Sequence, residues 1–503
     1  MSSDPLPPDS GAPARRITPA ALWRWLRLVL HGGWRTVRDV EPEFWRNLQT
    51  ELTAGRQWLN RGVVLMFAAA AGLLVVGFTL LAEAASHAFA SLQTGGSWWR
   101  WTPLLLTPAL TVALLWLTRR FAPGAGGSGI QQVVRALDDD ISERQRGWLV
   151  SLKLSLAKVG LVSGGLLAGL SIGREGPAVQ ICAGVMVQAR RWLSPKSGID
   201  AHDLMVAGAA AGIAAAFNTP LGGIMFAIEK LSRRRGISHS ALVITSIVLA
   251  GLVSVAVFGN ETYFGKLRVQ TLTSQMLLPG LLVALTAGLA GGLFSRLLVV
   301  SARGLPDRFS AWRRSHPLRF AGACGLGVAV ISIATGGATA GAGYATTRAL
   351  LEGHGDLPGV YTLLKFCATW LSAWSGVPGG IFAPSLAIGA GIGHDVTLLT
   401  GLGSEASIPL IALGMVSFLS ATTQGPITAF IIVMEMVSGH AMVLSLMACS
   451  LLASGVSRLI SKPLYPELAM LLMLPPDPQS ETATALPGAA PAPSDPPPTP
   501  SSG

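Results

Sequence analysis

The sequence has few charged residues for its length. Only 13% of its 503 residues are charged, against about 25% in an ordinary soluble domain, whereas 50% are hydrophobic. A water-soluble fold could hardly hide this much apolar surface, so we exclude it. Glycine is abundant at 59 residues, and glycine is commoner in transmembrane helices than in soluble ones. The composition therefore predicts a polytopic α-helical membrane protein.

Cysteine is also scarce. The four cysteines stand singly inside apolar segments, and no pair has the spacing of a CxxC motif or of metal ligands. We interpret them as small apolar core residues. No nucleotide-binding motif is visible either, so we expect neither a cofactor nor a bound metal.

The positive charge has a pattern of its own. The net charge is +11, and basic residues cluster at 190–191, 233–235 and 303–319, each time after a long apolar run. This is the pattern of cytoplasmic loops under the positive-inside rule, and no nucleic-acid recognition motif accompanies it. The expected partner is a lipid bilayer, not a nucleic acid.

The chain divides into three parts by composition. Residues 1–60 are basic and lack an early apolar run, so we predict a cytoplasmic region with an interfacial amphipathic helix at 20–30, not a cleaved signal peptide. Residues 61–470 form the predicted transmembrane domain of a multi-pass protein of the inner (plasma) membrane. Residues 471–503 are Pro-rich and predicted to be disordered.

Two similar stretches suggest an internal repeat. Residues 173–184 read GREGPAVQICAG and residues 380–391 read GIFAPSLAIGAG. Each is a Gly/Pro break that opens an apolar helix, one in the half 62–264 and the other in the half 275–465. Short or interrupted apolar segments at matching places indicate an inverted-repeat transporter. One of the predicted apolar segments spans residues 203–229.

These breaks have the chemistry that a small anion needs inside a membrane. Backbone N–H groups at a helix N-terminus replace the water around an anion and add the positive end of the helix dipole. Glycine lets the backbone approach closely, and proline in the first turn gives up an N–H that had no partner. A third break of this kind is GGSGI at 126–130. The sequence therefore favours an anion path lined by helix N-termini.

Five motifs follow one another along the chain: GGSGI (126–130), GREGP (173–177), AAAFNTPLGGIMFAIE (214–229), PGGIFAP (378–384) and KPLY (462–465). Through these motifs the sequence resembles the CLC family of chloride channels and chloride/proton exchangers. The resemblance implies an all-α membrane protein with the CLC fold, an inverted-topology repeat of tilted and broken helices. It also implies a homodimer, with contact helices at 222–230, 240–258, 426–437 and 441–458.

The resemblance also implies roles for particular residues. Glu175 matches the gating glutamate, whose carboxylate can occupy an anion site and leave when protonated. The expected anion ligands are the hydroxyls of Ser128 and Tyr465 and the backbone amides of Ile381 and Phe382. The resemblance also implies anion-binding roles for Gly129, Arg174 and Gly176, the last two through the backbone of an outer site.

Two positions depart from the family pattern. Lys230 stands where exchangers carry the glutamate that hands protons towards the gate, and Glu229 precedes it. We therefore name both residues as candidates for an inner proton route. Gln131 stands where the family has proline after GSGI. It leaves Ser128 in place but could alter the first turn of the helix.

The function expected from these residues is chloride/proton antiport with a glutamate gate. A passive, proton- or voltage-gated chloride channel is the alternative, because Lys230 removes the usual inner proton acceptor. Fluoride and nitrate are the other candidate anions. A remote alternative is an intramembrane serine protease, since GGSG at 126–129 fits its GxSG motif, with His394 the one histidine well inside an apolar run. Otherwise we expect no enzyme activity.

Overall fold

The computed structural model describes residues 55–476, apart from 95, 97, 233–239, 260–263, 265–273, 354–356 and 403. The chain forms two compact units, Met1–Asn60 and Arg61–Gly503. The predicted interfacial helix at 20–30 lies outside the described residues, as does nearly all of the predicted Pro-rich tail. The architecture below is that of the second unit.

Regular structure in the described residues is helical. The helices of the first half are α1 (Gly55–Thr94), α2 (Pro103–Phe121), α3 (Ile130–Ala136), α4 (Glu143–Leu149), α5 (Leu152–Leu167), α6 (Glu175–Met186), α7 (Ala201–Phe217), α8 (Pro220–Phe226) and α9 (Ser240–Phe258). Those of the second half are α10 (Leu277–Arg303), α11 (Arg308–Ser315), α12 (Pro317–Ala334), α13 (Tyr344–Leu351), α14 (Tyr361–Trp374), α15 (Phe382–Thr400), α16 (Ser404–Thr423), α17 (Pro426–Met436), α18 (Val443–Ile460) and α19 (Leu464–Met470).

Many of these helices are long and apolar enough to cross a bilayer. Eight described helical segments meet that criterion by length and composition: Gly55–Gln93, Trp99–Phe121, Glu143–Leu167, Ala241–Phe258, Leu277–Arg303, Pro317–Ala334, Phe382–Thr400 and His440–Ile460. Large apolar side chains point outwards from several of them, such as Leu105 at 80% exposure and Leu278 at 75%. Exposed leucines on a spanning helix are solvated by lipid tails. The predicted all-α, multi-pass membrane architecture is confirmed.

Other helices are short and broken, as the glycine and proline content indicates. The apolar segment predicted at 203–229 is not continuous, because α7 ends at Phe217 and α8 begins at Pro220. Asn218 between them has a left-handed backbone with φ 57°, and proline at the first position of α8 cannot continue the preceding helix. The segment at 203–229 is therefore interrupted by proline, as the sequence predicts for several of the apolar segments.

Small residues let the central helices pack backbone to backbone. A Cβ atom on Gly208 or Gly212 of α7 would lie within 2.6 Å of a carbonyl oxygen of α6. In the second half, a Cβ atom on Gly389 or Gly393 of α15 would lie 2.3 Å from a carbonyl oxygen of α16. Glycines four residues apart on one helix form a small-residue packing face of the kind found in membrane helices. The pairs α6–α7 and α15–α16 are therefore built alike.

The two halves meet at a pair of glycines. Gly173 and Gly380 donate their backbone N–H groups to each other's carbonyl oxygens, at 2.7 and 2.8 Å. They are the one isolated antiparallel bridge in the described part of the chain. They are also the first residues of the two similar stretches found in the sequence. The repeat partners thus lie side by side, and the N-termini of α6 and α15 face a common point.

Candidate anion pathway

Glu175 lies at that common point and is fully buried. One carboxylate oxygen, Oε2, accepts the backbone N–H of Ala383 in the first turn of α15, with an N···O distance of 3.4 Å. The other oxygen, Oε1, accepts a hydrogen bond from the Tyr344 hydroxyl. The carboxylate therefore occupies the N-terminus of α15, where backbone donors and the helix dipole favour a negative charge.

Ile381 and Phe382, whose amides were predicted to hold the anion, flank this position. Ile381 precedes the first residue of α15, and both residues are buried, at 5% and 2% exposure. The ring of Phe382 lies 6.0 Å from the ring of Tyr465. The amide that contacts the Glu175 carboxylate is that of Ala383, the next residue along. The roles of the Ile381 and Phe382 amides as anion ligands stay predictions.

Ser128 and Tyr465 come together beside the N-terminus of α15. They line one cavity of about 590 Å³, together with Ile381 and Gln131. We call it the Ser128 cavity. Both hydroxyl groups are buried, and neither makes a hydrogen bond with a described residue. An unpaired buried hydroxyl costs about 1–3 kcal/mol, so two such donors side by side fit a site whose partner is an anion.

Glycines make the approach to Ser128 possible. Gly127 and Gly129 have positive φ angles of 78° and 109°, a conformation that other residues rarely adopt. A Cβ atom on Gly176 would lie 2.3 Å from the Ser128 Oγ atom. Gly129 and Gly176, both predicted at the anion site, are therefore required for the close contact between the Ser128 loop and α6.

Gln131 departs from the family's proline but leaves the helix start intact. The first backbone bond of α3 forms from Val133 to Gly129, at 3.2 Å. The Gln131 side chain is 7% exposed, folds back towards Gly127 and lines the Ser128 cavity. The substitution adds a carboxamide to this cavity and leaves Ser128 in the cavity wall.

A second cavity, of about 580 Å³, has Tyr344, the hydrogen-bond partner of Glu175, in its wall. We call it the Arg174 cavity; its polar lining includes Glu83, Arg174 and Tyr344. The Arg174 guanidinium pairs with Glu83 at 3.0 Å and packs over the Tyr344 ring at 5.2 Å. Glu175 itself lines neither cavity. Its carboxylate contacts Tyr344 in the wall of the Arg174 cavity, and the next residue, Gly176, packs against Ser128 in the wall of the Ser128 cavity.

Lys230 and Glu229 lie apart from this path. Lys230 is in a π-helical turn, Ala227–Leu231, and its Nζ donates to the carbonyl oxygen of Thr423 at 2.8 Å. The Glu229 carboxylate accepts the backbone N–H groups of Ile427 at 3.3 Å and Thr428 at 2.8 Å, and so caps α17. Neither residue lines either of the two cavities.

The cap at Glu229 has a counterpart in the other half. Glu435, near the end of α17, accepts the N–H groups of Leu221 at 3.2 Å and Gly222 at 2.7 Å in the first turn of α8. The two helices thus cap each other reciprocally through carboxylates. This geometry gives Glu229 a structural role that its position beside Lys230 did not reveal.

Two residues near the path were missed by the sequence analysis. Tyr344 contacts the Glu175 carboxylate directly. Lys158 is fully buried and donates to the Gly127 carbonyl at 3.2 Å and to the Gln180 side chain at 2.5 Å, directly behind Ser128. One signal could have found Lys158: an ionisable residue inside an apolar segment is a functional candidate.

The serine-protease alternative receives no support. A serine nucleophile needs a base within hydrogen-bond reach, and the Ser128 hydroxyl makes no hydrogen bond with any described residue. The fold, with a buried carboxylate at the N-terminus of a broken helix, instead defines the class as an inverted-repeat membrane transporter.

The comparisons with known proteins identify the family. A profile of the voltage gated chloride channel family matches residues 109–458. The chain belongs to this family, the CLC proteins. A relative from Vibrio parahaemolyticus, the H(+)/Cl(-) exchange transporter ClcA, is 32% identical over 444 residues, which cover 82% of this chain and 91% of the relative.

Solved structures agree on the fold. A slow cyanobacterial Cl-/H+ antiporter matches with a TM-score of 0.68 at 22% identity, covering 82% of this chain and 97% of its own. A CLC-type fluoride/proton antiporter matches with a TM-score of 0.66 at 24% identity, covering 83% and 98%. The predictions of the CLC family and of its all-α fold are confirmed.

Proposed function

We propose that this chain exchanges chloride for protons, with Glu175 serving as both the gate and the proton-carrying group. The observation that carries the proposal is the position of the Glu175 carboxylate. It is fully buried between two cavities and takes the Ala383 N–H at the N-terminus of α15. An anion needs the same donors, so chloride and the carboxylate compete for one place. Protonation removes the carboxylate's charge and frees the place for chloride.

The remaining chloride ligands lie towards the Ser128 cavity. The hydroxyls of Ser128 and Tyr465 are buried donors without a partner among the described residues. With the backbone amides of Ile381 and Phe382, they form the proposed inner chloride site. Gly129 and Gly176 allow the Ser128 loop and α6 to pack closely beside this site. Chloride is favoured over fluoride or nitrate because the relative from Vibrio parahaemolyticus is named an H(+)/Cl(-) exchanger.

The orientation follows from the positive charge. Arg313 lines the Ser128 cavity and belongs to the basic stretch 303–319. Since basic loops stay on the cytoplasmic side, the Ser128 cavity opens to the cytoplasm and the Arg174 cavity to the outside. The proposed location is the inner membrane, as a multi-pass protein.

We also propose that two copies form a homodimer with one pathway in each. Helices α8, α9, α17 and α18 supply the contact, since they carry exposed apolar side chains such as Leu221, Leu252 and Ile427. Single-molecule photobleaching in liposomes tests the proposal, with two steps per particle expected and one step contradicting it.

The test of the function is a flux assay on purified protein in liposomes that hold a chloride gradient. Chloride efflux and internal pH are recorded together in the same vesicles. Protons driven uphill by the chloride gradient would establish exchange. Chloride flux without proton movement would contradict exchange, and the absence of any chloride flux would contradict chloride as the substrate.

A passive chloride conductance is the second candidate function. It is favoured by one observation: Lys230 replaces the usual inner glutamate, and its Nζ is engaged with the Thr423 carbonyl. The flux assay on Lys230→Met separates the two. Exchange that uses Lys230 as the inner proton donor would lose proton movement in this variant and keep chloride flux.

A further inference from the structure

Two glycine loops of the same form stand at opposite ends of the path. The first, at 127–130, leads into α3, and the second, at 341–344, leads into α13. In the second loop Gly341 and Gly343 have positive φ angles of 59° and 87°, just as Gly127 and Gly129 do in the first. The two loops are counterparts in the two halves of the chain.

A buried lysine holds each loop. Lys158 donates to the Gly127 carbonyl of the first loop at 3.2 Å. Lys365 donates to the Gly341 carbonyl of the second loop at 2.8 Å and to the Thr339 carbonyl at 2.9 Å. Both lysines are fully buried, and Lys158 precedes Glu175 by the same number of residues as Lys365 precedes Phe382. The correspondence of the loops therefore extends to their supports.

The second loop positions Tyr344 against the gate. A Cβ atom on Gly343 would lie 2.6 Å from the Ala387 side chain, so glycine lets the loop approach α15. The Tyr344 ring lies under the Arg174 guanidinium at 5.2 Å and beside the Phe264 ring at 5.9 Å. With the ring held in this way, its hydroxyl donates to Glu175 Oε1.

We propose that Tyr344 is a positioning residue of the gate. Its hydroxyl holds the Glu175 carboxylate in the closed position, and this bond breaks each time the gate opens. Hydrogen bonds to ionised groups are stronger than those between neutral groups, so the bond adds to the barrier for opening. The inference rests on the proposed function, in which departure of the Glu175 carboxylate admits chloride.

The experiment compares Tyr344→Phe with the wild-type chain in liposomes. Phenylalanine keeps the ring packing and removes only the hydroxyl. Because the carboxylate competes with chloride, we expect chloride turnover to rise about three- to tenfold and the KM for chloride to fall. The matched control is Tyr361→Phe: Tyr361 is 1% exposed, and its hydroxyl makes no hydrogen bond with a described residue. This control should transport like the wild type.

The same substitution in a Glu175→Ala background separates gate holding from a structural role. There the hydroxyl has no carboxylate to hold, so Tyr344→Phe should leave chloride flux unchanged. Unchanged or lower turnover in the single variant would overturn the proposal, as would an equal change in both backgrounds. If the wild-type chain moved no chloride, the proposed function would fail instead, so the two failures are distinguishable.

Discussion

The two ends of the path share a scaffold but differ in what that scaffold presents. Each end has a glycine loop held by a buried lysine, Lys158 at one end and Lys365 at the other. At the Ser128 end, the hydroxyl makes no hydrogen bond with a described residue. At the Tyr344 end, the hydroxyl is bonded to the Glu175 carboxylate. A nearly symmetric backbone thus becomes functionally asymmetric through a few side chains.

Under the proposed function, this difference lets one carboxylate control a path with two ends. Both ends of the path offer hydrogen-bond donors to an anion, but only at the Tyr344 end does a carboxylate of the chain itself, that of Glu175, accept from such a donor. The Glu175 carboxylate can satisfy the Ala383 N–H and the Tyr344 hydroxyl when chloride is absent. Removal of this carboxylate should make the two ends of the path alike.

The largest effect is therefore expected from Glu175→Ala. If Glu175 carries protons as proposed, proton movement should fall by about 100-fold or more in this variant while chloride still flows. The measurement is paired chloride and pH recording in liposomes under a chloride gradient.

Glu143→Gln is the control for Glu175→Ala, since Glu143 is an exposed residue that pairs with Arg146. It should keep the wild-type ratio of protons to chloride. Proton pumping that persisted in Glu175→Ala would remove Glu175 from the proton route and leave the asymmetry of the two ends without a function.

An intermediate effect is expected from Lys158→Met and Lys365→Met. Each variant leaves buried carbonyl groups without a donor, which should lower the free energy of unfolding by about 1–3 kcal/mol. Their functional effects should differ. Lys158→Met shifts the Ser128 loop and should weaken chloride binding about tenfold, whereas Lys365→Met loosens Tyr344 and should speed turnover with binding nearly unchanged.

Calorimetric chloride titration and flux measurements on the same preparations check this pair. Each lysine serves as the control for the other, because the two losses are chemically alike. Identical profiles for the two variants would mean that the loops act only on stability, not separately on the two ends of the path.

Much of this arrangement could be predicted from the sequence because the motifs are local. GREGP, GIFAP and GGSGI each contain their own helix break, so the path and its residues Glu175, Ser128 and Ile381 follow from short stretches. The all-α membrane fold followed from composition. The roles assigned to Ser128, Tyr465 and the backbone amides stay predictions.

The rest depends on contacts between distant parts of the chain. Tyr344 reaches Glu175 only because the loop before α13 folds against α15, and no local pattern marks that approach. Lys365 lies in an apolar helix whose burial cannot be read from its own residues. Glu229 caps a helix that begins far along the chain, so its neighbour Lys230 was a misleading guide to its role.

The reciprocal caps give the smallest expected effect and the sharpest comparison between halves. Glu229→Gln and Glu435→Gln each replace a carboxylate at a helix N-terminus by a neutral amide, which should cost about 1 kcal/mol of stability. The midpoint temperature of thermal unfolding in detergent should fall by similar amounts in the two variants, because the caps are counterparts. Paired flux recording should find the wild-type proton-to-chloride ratio in both. Glu435→Gln is the control, because it removes an equivalent cap and leaves Glu229 in place. A loss of proton movement in Glu229→Gln alone would contradict a purely structural role and return Glu229 to the inner proton route.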